Sequence, residues 1–216
     1  MNKNTSKIHL GLLDKNRQAV LKKLTPLLKD FVLGGGTTLA LQINHRKSFD
    51  FDFFSSAPIP KNLLERLSRS LEIKNVVFDS VDELTFFTAG DIKITILYYP
   101  FKPTFKVVKF EGLQLFEVKE IALHKAYTIG RRGEYRDYFD LYTILKNKSI
   151  TLNEIIKAAE KVYNGAFDEK LFLEQLVYFS DITNFEVIPA SQKALPAPKK
   201  IKGFFESLVK THLSEK

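Results

Sequence analysis

The chain has 216 residues, of which 44% are hydrophobic and 27% charged, a composition typical of a globular protein rather than a disordered or fibrous one. No apolar run approaches about 18 residues, so no membrane span is predicted, and the polar start MNKNTSKIHL lacks the apolar core of a secretory signal. Cysteine is absent, which excludes a disulfide framework and a thiolate metal site and fits a reducing, cytoplasmic location. The net charge of +8 suits an anionic partner such as a nucleotide or nucleic acid, although a solvated basic tail after Pro189 explains part of it equally well.

Helical and strand patterns are mixed in the first 115 residues. Apolar spacing predicts a helix over residues 17–29, with Asp14 as a candidate N-cap and Pro26 as a kink or division. The later patterns predict strands at 31–33, 48–54, 76–78, 84–88 and 92–99 and helices at 38–42 and 63–71.

The patterns after residue 117 are helical. They predict helices at 120–129 and 136–145, separated by the region 130–133. A third helix is capped by Thr151 and Glu154 and ends at Asn164-Gly165, and a fourth is capped by Asp168. A linker marked by Pro189, Pro196 and Pro198 then leads to a last helix at 200–213. We therefore expect an α+β fold. A small mixed sheet with flanking helices occupies residues 1–115, and a mainly helical region occupies residues 116–216.

Two carboxylates alternate with phenylalanines in the segment SFDFDFF, residues 48–54. On a strand, Asp50 and Asp52 share one face and the phenylalanines at 49, 51 and 53 share the other. Two like charges held so closely repel each other, so either one carboxyl is protonated or a cation lies between them. Mg²⁺ is the natural cation for carboxylate and phosphate oxygens. A strand whose polar face simply lies in water is the alternative.

A glycine-rich turn, GGGT at residues 34–37, follows a predicted strand and opens a predicted helix. Backbone N–H groups in such a turn can approach a phosphate, a helix N-terminus favours an anion, and Thr37 or Thr38 can add a hydroxyl donor. A tight turn without any ligand uses glycine for the same conformational freedom. The turn is neither a Walker loop nor a dinucleotide fingerprint, because no Gly-Lys-Ser/Thr follows and the GxGxxG spacing is missing.

Two blocks of the sequence resemble one known family. The first block consists of LGGGTTLAL (33–41) and HRKSFDFDFF (45–54), and the second consists of Lys125 and RGEYRDYFDLY (132–142). Both blocks resemble the nucleotidyltransferases of the AbiEii/AbiGii toxin family, a branch of the DNA polymerase β-like nucleotidyltransferase superfamily. The resemblance covers residues 31–145.

The resemblance implies a role for each matching residue. Asp50 and Asp52 would bind two Mg²⁺ ions, and Lys125 would contact the triphosphate or the acceptor. Residues around the glycine turn would hold the nucleotide triphosphate: Gly34, Gly35, Gly36, Thr37, Arg46 and Ser48. The second block adds further residues beside the nucleotide: Arg132, Arg136, Asp137 and Asp140.

The implied reaction is an in-line attack on the α-phosphate of an NTP, with pyrophosphate leaving. The acceptor would be a nucleic acid, such as a tRNA, or a protein hydroxyl, and the toxin family implies a cognate antitoxin. One position departs from the superfamily pattern, because Thr95 stands where a third carboxylate is expected on the strand at 92–99, and Asp91 lies about 13 Å along that strand. A non-catalytic nucleotide- or nucleic-acid-binding module is therefore the alternative function, and a purely structural interaction protein is a third.

Two further patterns leave their interpretation open. Asp137 and Asp140 lie three apart on one helix face, where they either orient Lys125 or Arg132 or form ordinary surface pairs with the neighbouring arginines. Near the C-terminus, lysines beside two phenylalanines fit either an RNA backbone or a helix packed by its aromatic side chains. The residues are Lys199, Lys200, Lys202, Phe204 and Phe205.

Overall fold

The structure, a computed structural model, describes residues 8–129, 131–192 and 194–215. The strands are β1 (Val32–Gly34), β2 (Phe51–Ser55), β3 (Ile73–Asp79), β4 (Glu83–Thr88), β5 (Lys93–Tyr98), β6 (Val107–Phe110) and β7 (Leu113–Phe116). The α-helices are α1 (Lys15–Leu24), α2 (Gly35–Ile43), α3 (Leu63–Ser68), α4 (Val118–Thr128), α5 (Tyr135–Lys146), α6 (Leu152–Tyr163), α7 (Glu169–Val177) and α8 (Pro198–Ser214), and a short 3-10 helix spans Leu10–Leu12.

The chain divides into two compact units, residues 1–117 and 118–216. The boundary expected from the sequence was after residue 115. The first unit holds all seven strands found in the described residues and the second holds helices, so the α+β fold class is confirmed. No helix in the described ranges is both long enough and apolar enough to cross a membrane. Gly130, one end of the predicted break at 130–133, lies outside the described residues.

The sheet of the first unit has the strand order β3-β4-β5-β2-β1-β7-β6. Its pairings are mixed, because β2 runs parallel to β5 and β1 runs parallel to β7, whereas the other neighbours are antiparallel. β2, the strand that carries Asp52, lies at the centre, with β1 on one side and β5 on the other, so both of its edges are hydrogen-bonded.

One face of this sheet carries the hydrophobic core. Phe51, Ile94 and Phe86 are in register across β2, β5 and β4, and all three are completely buried. They belong to a single hydrophobic cluster with leucines of α1 and α3. Burying each such side chain contributes about 1.5–3 kcal/mol, so this face fixes the register of the central strands.

On the opposite face of the sheet, polar side chains lie side by side across neighbouring strands. Gly34 of β1 pairs with Asp52 of β2, Asp52 with Thr95 of β5, and Thr95 with Thr85 of β4. Side chains in register lie on the same face of a sheet, so Asp52, Thr95 and Thr85 project together. A one-residue slip is excluded, because it would move the phenylalanines of β2 out of the core.

Two predicted elements of the first unit have different limits in the structure. α1 begins where expected, with the Asp14 carboxylate accepting the Arg17 backbone N–H at 2.8 Å, but it ends at Leu24, so the prediction of a helix to residue 29 was wrong. Pro26 lies just beyond its end, where the missing N–H is not needed. The strand predicted at 48–54 begins only at Phe51, because the ladder with β5 ends at Phe51 and the ladder with β1 ends at Asp52.

The hairpin of β6 and β7 was not predicted. It turns at Glu111 and Gly112, which both have positive φ (47° and 85°), the backbone conformation of a tight two-residue turn. Strands of four residues give a weak periodic signal, which is why the sequence pattern missed them.

The second unit follows its sequence signals closely. Thr151 and Glu154 form the predicted capping box at the start of α6, and Asp168 caps α7 by accepting the Leu171 N–H at 2.7 Å. Pro198, predicted to lie in a linker, instead occupies the first turn of α8, a position that its fixed φ and missing N–H suit. Phe205 is completely buried and Phe204 contacts the ring of Tyr142, so the phenylalanines of α8 pack the helix rather than face solvent.

Candidate functional site

The glycine turn joins β1 to α2 and brings backbone close to the carboxylate strand. Gly35 has φ of +67°, a conformation that side chains rarely adopt, and a Cβ placed there would overlap the Asp52 carboxylate. Only glycine therefore lets the start of α2 approach Asp52 this closely. Gly35 also begins α2, a nine-residue helix whose N-terminus carries partial positive charge.

A cation and a hydroxyl lie against the next glycine. A Cβ on Gly36 would overlap the Arg46 guanidinium and would lie 3.2 Å from the Ser48 hydroxyl. Arg46 is 4% exposed, and its Nη1 donates to the Lys47 carbonyl at 3.0 Å. A guanidinium and a helix N-terminus each favour an anion, so the turn brings together two groups suited to phosphate beside the Asp52 carboxylate.

Thr37 ties the turn to the segment that precedes β2. Its hydroxyl donates to the Asp50 backbone carbonyl at 2.5 Å and lies 3.0 Å from the Ser48 hydroxyl. Asp50 itself is exposed, one residue before the strand, and Asp52 is half-buried within it. The structure thus gathers the predicted residues of the first block around one turn.

Arg17 is a positioning residue that the sequence did not reveal. Its Nε donates to the Phe49 carbonyl at 3.1 Å, and its guanidinium lies 4.8 Å from the centre of the Phe49 ring. Phe49 is consequently half-buried under an arginine, outside the core face where alternation had placed it. The contact joins residues 32 positions apart, so no local pattern could indicate it.

The expected third carboxylate is absent from the strand beside Asp52. Thr95 occupies the position in register with Asp52, is 7% exposed, and its hydroxyl finds no hydrogen-bond partner within the described part of the chain. Asp91 lies before β5 in an exposed turn, where it pairs with Lys74 at 2.7 Å. Asp91 therefore does not replace the missing acid.

The second block forms a buried ion-pair network between α4 and α5. Lys125 Nζ lies 2.5 Å from Asp137 Oδ1 and 2.9 Å from Asp140 Oδ2. The Arg132 guanidinium donates to both oxygens of Asp137, at 2.8 and 3.1 Å. Asp137 and Asp140 are 2% and 0% exposed, so they are not the surface acids of the simpler interpretation.

The network determines the ionisation of Asp137. Burial by itself would raise the pKa of this carboxyl, but the charges of Lys125 and Arg132 and their hydrogen bonds outweigh it and hold the pKa below the ordinary value of 3.8. Asp137 is thus held as a carboxylate at neutral pH.

The remaining arginines of this block lie apart from the two acids. Arg136 is largely exposed and pairs with Glu134 at 3.1 Å. Arg131 donates to the carbonyls of Tyr127 and Ala166, both at 2.7 Å. The structure therefore unites Lys125, Arg132, Asp137 and Asp140, and leaves Arg136 outside their network.

The donor set at β2 can be compared with what Mg²⁺ requires. Across the described ranges, no group of three or more histidine, aspartate or glutamate side chains is arranged to hold a metal ion. Asp50 and Asp52 provide two carboxylates, and Mg²⁺ commonly binds through one or two carboxylates together with waters and substrate phosphates. These residues fit a magnesium ion that binds together with a triphosphate, rather than one held by the protein alone.

The chain matches the model of the family described as nucleotidyl transferase AbiEii toxin, type IV toxin–antitoxin system, over residues 20–195. It belongs to the AbiEii family. A curated relative, protein aq_aa25 of Aquifex aeolicus (strain VF5), is 31% identical over 210 residues, which cover 93% of this chain and 98% of the relative.

Two solved structures from Helicobacter pylori share the fold of this AbiEii family member. One, a protein assigned provisionally as a nucleotidyltransferase, has a TM-score of 0.58 at 19% identity and covers 94% of this chain and 98% of its own. The other, JHP933, has a TM-score of 0.53 at 19% identity and covers 94% and 95%. The family and the fold together support a general role in nucleotidyl transfer.

Proposed function

We propose that this AbiEii protein is a Mg²⁺-dependent nucleotidyltransferase that transfers a nucleotide from an NTP to a hydroxyl acceptor and releases pyrophosphate. The observation that carries the proposal is the meeting of the Asp52 carboxylate, the Arg46 guanidinium and the Ser48 hydroxyl at the glycine turn. The family membership of the chain supports the same reaction.

The turn supplies what a triphosphate needs. Backbone N–H groups at the start of α2 are not used within the helix, so they can donate to phosphate oxygens. Arg46 adds a buried positive charge beside them, and the absence of side chains on Gly35 and Gly36 lets the Asp52 carboxylate and the Arg46 guanidinium lie against the turn. The Ser48 hydroxyl lies within reach of the same position.

Asp50 and Asp52 would hold the metal through their carboxylate oxygens. When bound, Mg²⁺ neutralises phosphate charge and aligns the α-phosphate for in-line displacement. The backbone of Asp52 is held by strand pairing on both sides, whereas the backbone carbonyl of Asp50 is held by a hydrogen bond from the Thr37 hydroxyl. The residues of the chain therefore contribute position and charge, which account for most of the barrier reduction in this type of reaction.

The acceptor we propose is a nucleic acid such as a tRNA, with a protein hydroxyl as the second possibility. The net charge of +8 supports a polyanionic acceptor. A cognate antitoxin is proposed from family membership alone.

Labelled NTPs test the reaction. The protein is incubated with each NTP, Mg²⁺, and either purified tRNA or cell extract, and the labelled product is separated as nucleic acid or protein. We expect labelling by wild type, loss with the double variant Asp50→Asn/Asp52→Asn, and retention with Asp82→Asn, which changes an exposed acid outside this site. Equal labelling by wild type and the double variant would refute the proposal.

A non-catalytic binding module is the second candidate, because Thr95 stands where a carboxylate would activate the attacking hydroxyl. A positioned general base typically contributes about 10²–10⁴-fold to the rate, so its loss can leave binding without turnover. Calorimetry that detects NTP binding, with no pyrophosphate released in the presence of any acceptor, would favour this candidate. Measurable pyrophosphate release would exclude it.

A further inference from the structure

β3 forms one end of the sheet, and its apolar side chains are exposed. No strand in the described ranges pairs with its outer side, because β4 is its only neighbour in the sheet order. Val76, Val77 and Phe78 are 40%, 46% and 55% exposed, whereas Phe86 on β4 and Ile94 and Ile96 on β5 are completely buried. The same segment continues to Val81, which is 45% exposed.

Such an edge is unusual in a folded protein. Exposed edges are templates for pairing with another chain, so they are generally short, charged, interrupted by proline or covered. β3 is seven residues long, contains no proline, and its one lysine, Lys74, lies near its start in an ion pair with Asp91. Besides the charges of Lys74 and Asp79 near its two ends, the described strand has two register shifts against β4, and the second falls within the exposed apolar stretch.

The charge around β3 is opposite to that of the whole chain. Residues 72–83 carry four acids and one lysine, although the chain has a net charge of +8. Asp79 and Asp82, at the end of the apolar stretch, are both exposed. A second copy of this protein would bring two acidic edges together, so electrostatics favour a partner with positive charge.

We infer that β3 is a docking edge for an extended, positively charged segment of another protein, which adds to the sheet as a further strand. The backbone groups on the outer side of β3 would supply the hydrogen bonds, and Val77 and Phe78 would supply apolar contact. Lysine or arginine side chains of the partner would lie near Asp79 and Asp82. This edge is distinct from the glycine turn, because β4 and β5 separate β3 from β2.

A designed peptide tests the inference on the full chain. The probe is a fluorescent peptide with the sequence KTVRVTVK, and fluorescence anisotropy measures its Kd. One control peptide has the same sequence with alternate backbone nitrogens methylated, which keeps the charge but removes hydrogen-bond donors. Another control, ETVEVTVE, reverses the charge.

We expect KTVRVTVK to bind with a micromolar Kd and both control peptides to bind at least about tenfold more weakly. The variant Phe78→Lys should weaken binding by at least about tenfold, because it places a charge on the apolar edge. The matched variant Leu213→Lys, at an apolar residue of α8 that is 59% exposed, should leave the Kd unchanged. Bound peptide should also slow hydrogen exchange of the amides in β3.

Three results would each overturn the inference. One is the absence of binding at peptide concentrations up to about 1 mM. Another is equal binding of the methylated peptide, which would indicate attraction by charge alone. The third is concentration-dependent dimerisation of wild type that Phe78→Lys abolishes, because the edge would then be an interface between copies of this chain.

Discussion

Replacing Lys125 with methionine tests whether the buried network stabilises the second unit. Methionine keeps the length of the side chain but removes the ammonium group that lies 2.5 Å from Asp137 and 2.9 Å from Asp140. Asp137 retains its two hydrogen bonds from Arg132, whereas Asp140, which is completely buried, loses this cation. The destabilisation should therefore come from the loss of both ion pairs of Lys125.

The magnitude follows from the burial of both partners. Removing one member of a buried ion pair typically costs about 3–5 kcal/mol, because the other charge is left in a medium of low dielectric. With a urea dependence of about 2 kcal/mol per molar, this loss lowers the unfolding midpoint by about 1.5–2.5 M. The exposed Lys157→Met variant on α6 should change the stability by less than about 0.5 kcal/mol.

Urea unfolding of the full chain, followed by far-UV circular dichroism, measures these changes. The double variant Lys125→Met/Asp140→Leu should recover at least about 2 kcal/mol of the loss, because it replaces both members of a buried ion pair with apolar side chains. A Lys125→Met protein as stable as the Lys157→Met control would refute the reasoning. It would mean that the ion pairs of Lys125 contribute little to the stability of the chain.

Three further predictions concern other parts of the chain. Gly35→Ala should lower the free energy of unfolding by at least about 1–2 kcal/mol, because its φ is +67° and the new Cβ displaces Asp52. Calorimetry should detect no NTP binding by this variant. Gly203→Ala, where the new Cβ enters open space beside α8, should neither destabilise the protein nor abolish NTP binding. Thr151→Ala should lower stability by about 1 kcal/mol in urea unfolding through loss of the capping box. The pKa of Asp137 in the folded state lies below its ordinary value of 3.8. Its ionised carboxylate therefore stabilises the fold fully above pH 3.8, and this stabilisation is lost as the pH falls through the folded-state pKa. Wild type should consequently lose more stability than Asp137→Asn during acid titration.

Local chemistry explains which elements the sequence could predict. Caps at Asp14, Thr151 and Asp168 act within one helical turn, and each begins a helix as predicted. The strand pattern also placed Thr95 on a strand, and the family resemblance implied the position beside Asp52 that it occupies. These signals depend only on residues close together in the chain.

Long-range pairing decided what the sequence could not. The start of β2 depends on where the ladders with β1 and β5 end, and the position of Phe49 depends on Arg17. The ion pairs of Lys125 could be listed as possibilities, but their burial arises from the packing of α4 against α5. The assignment of individual site residues to the reaction stays a prediction.

Asp50 and Asp52 differ in how firmly the sheet holds them. The backbone of Asp52 is held in the sheet between β1 and β5, and its carboxylate lies against Gly35. Asp50 sits one step outside the sheet with its side chain in solvent. If the proposed metal binds here, Asp52 would be a ligand whose backbone is anchored in the sheet, and Asp50 would be a solvent-exposed ligand that can move as the coordination sphere changes.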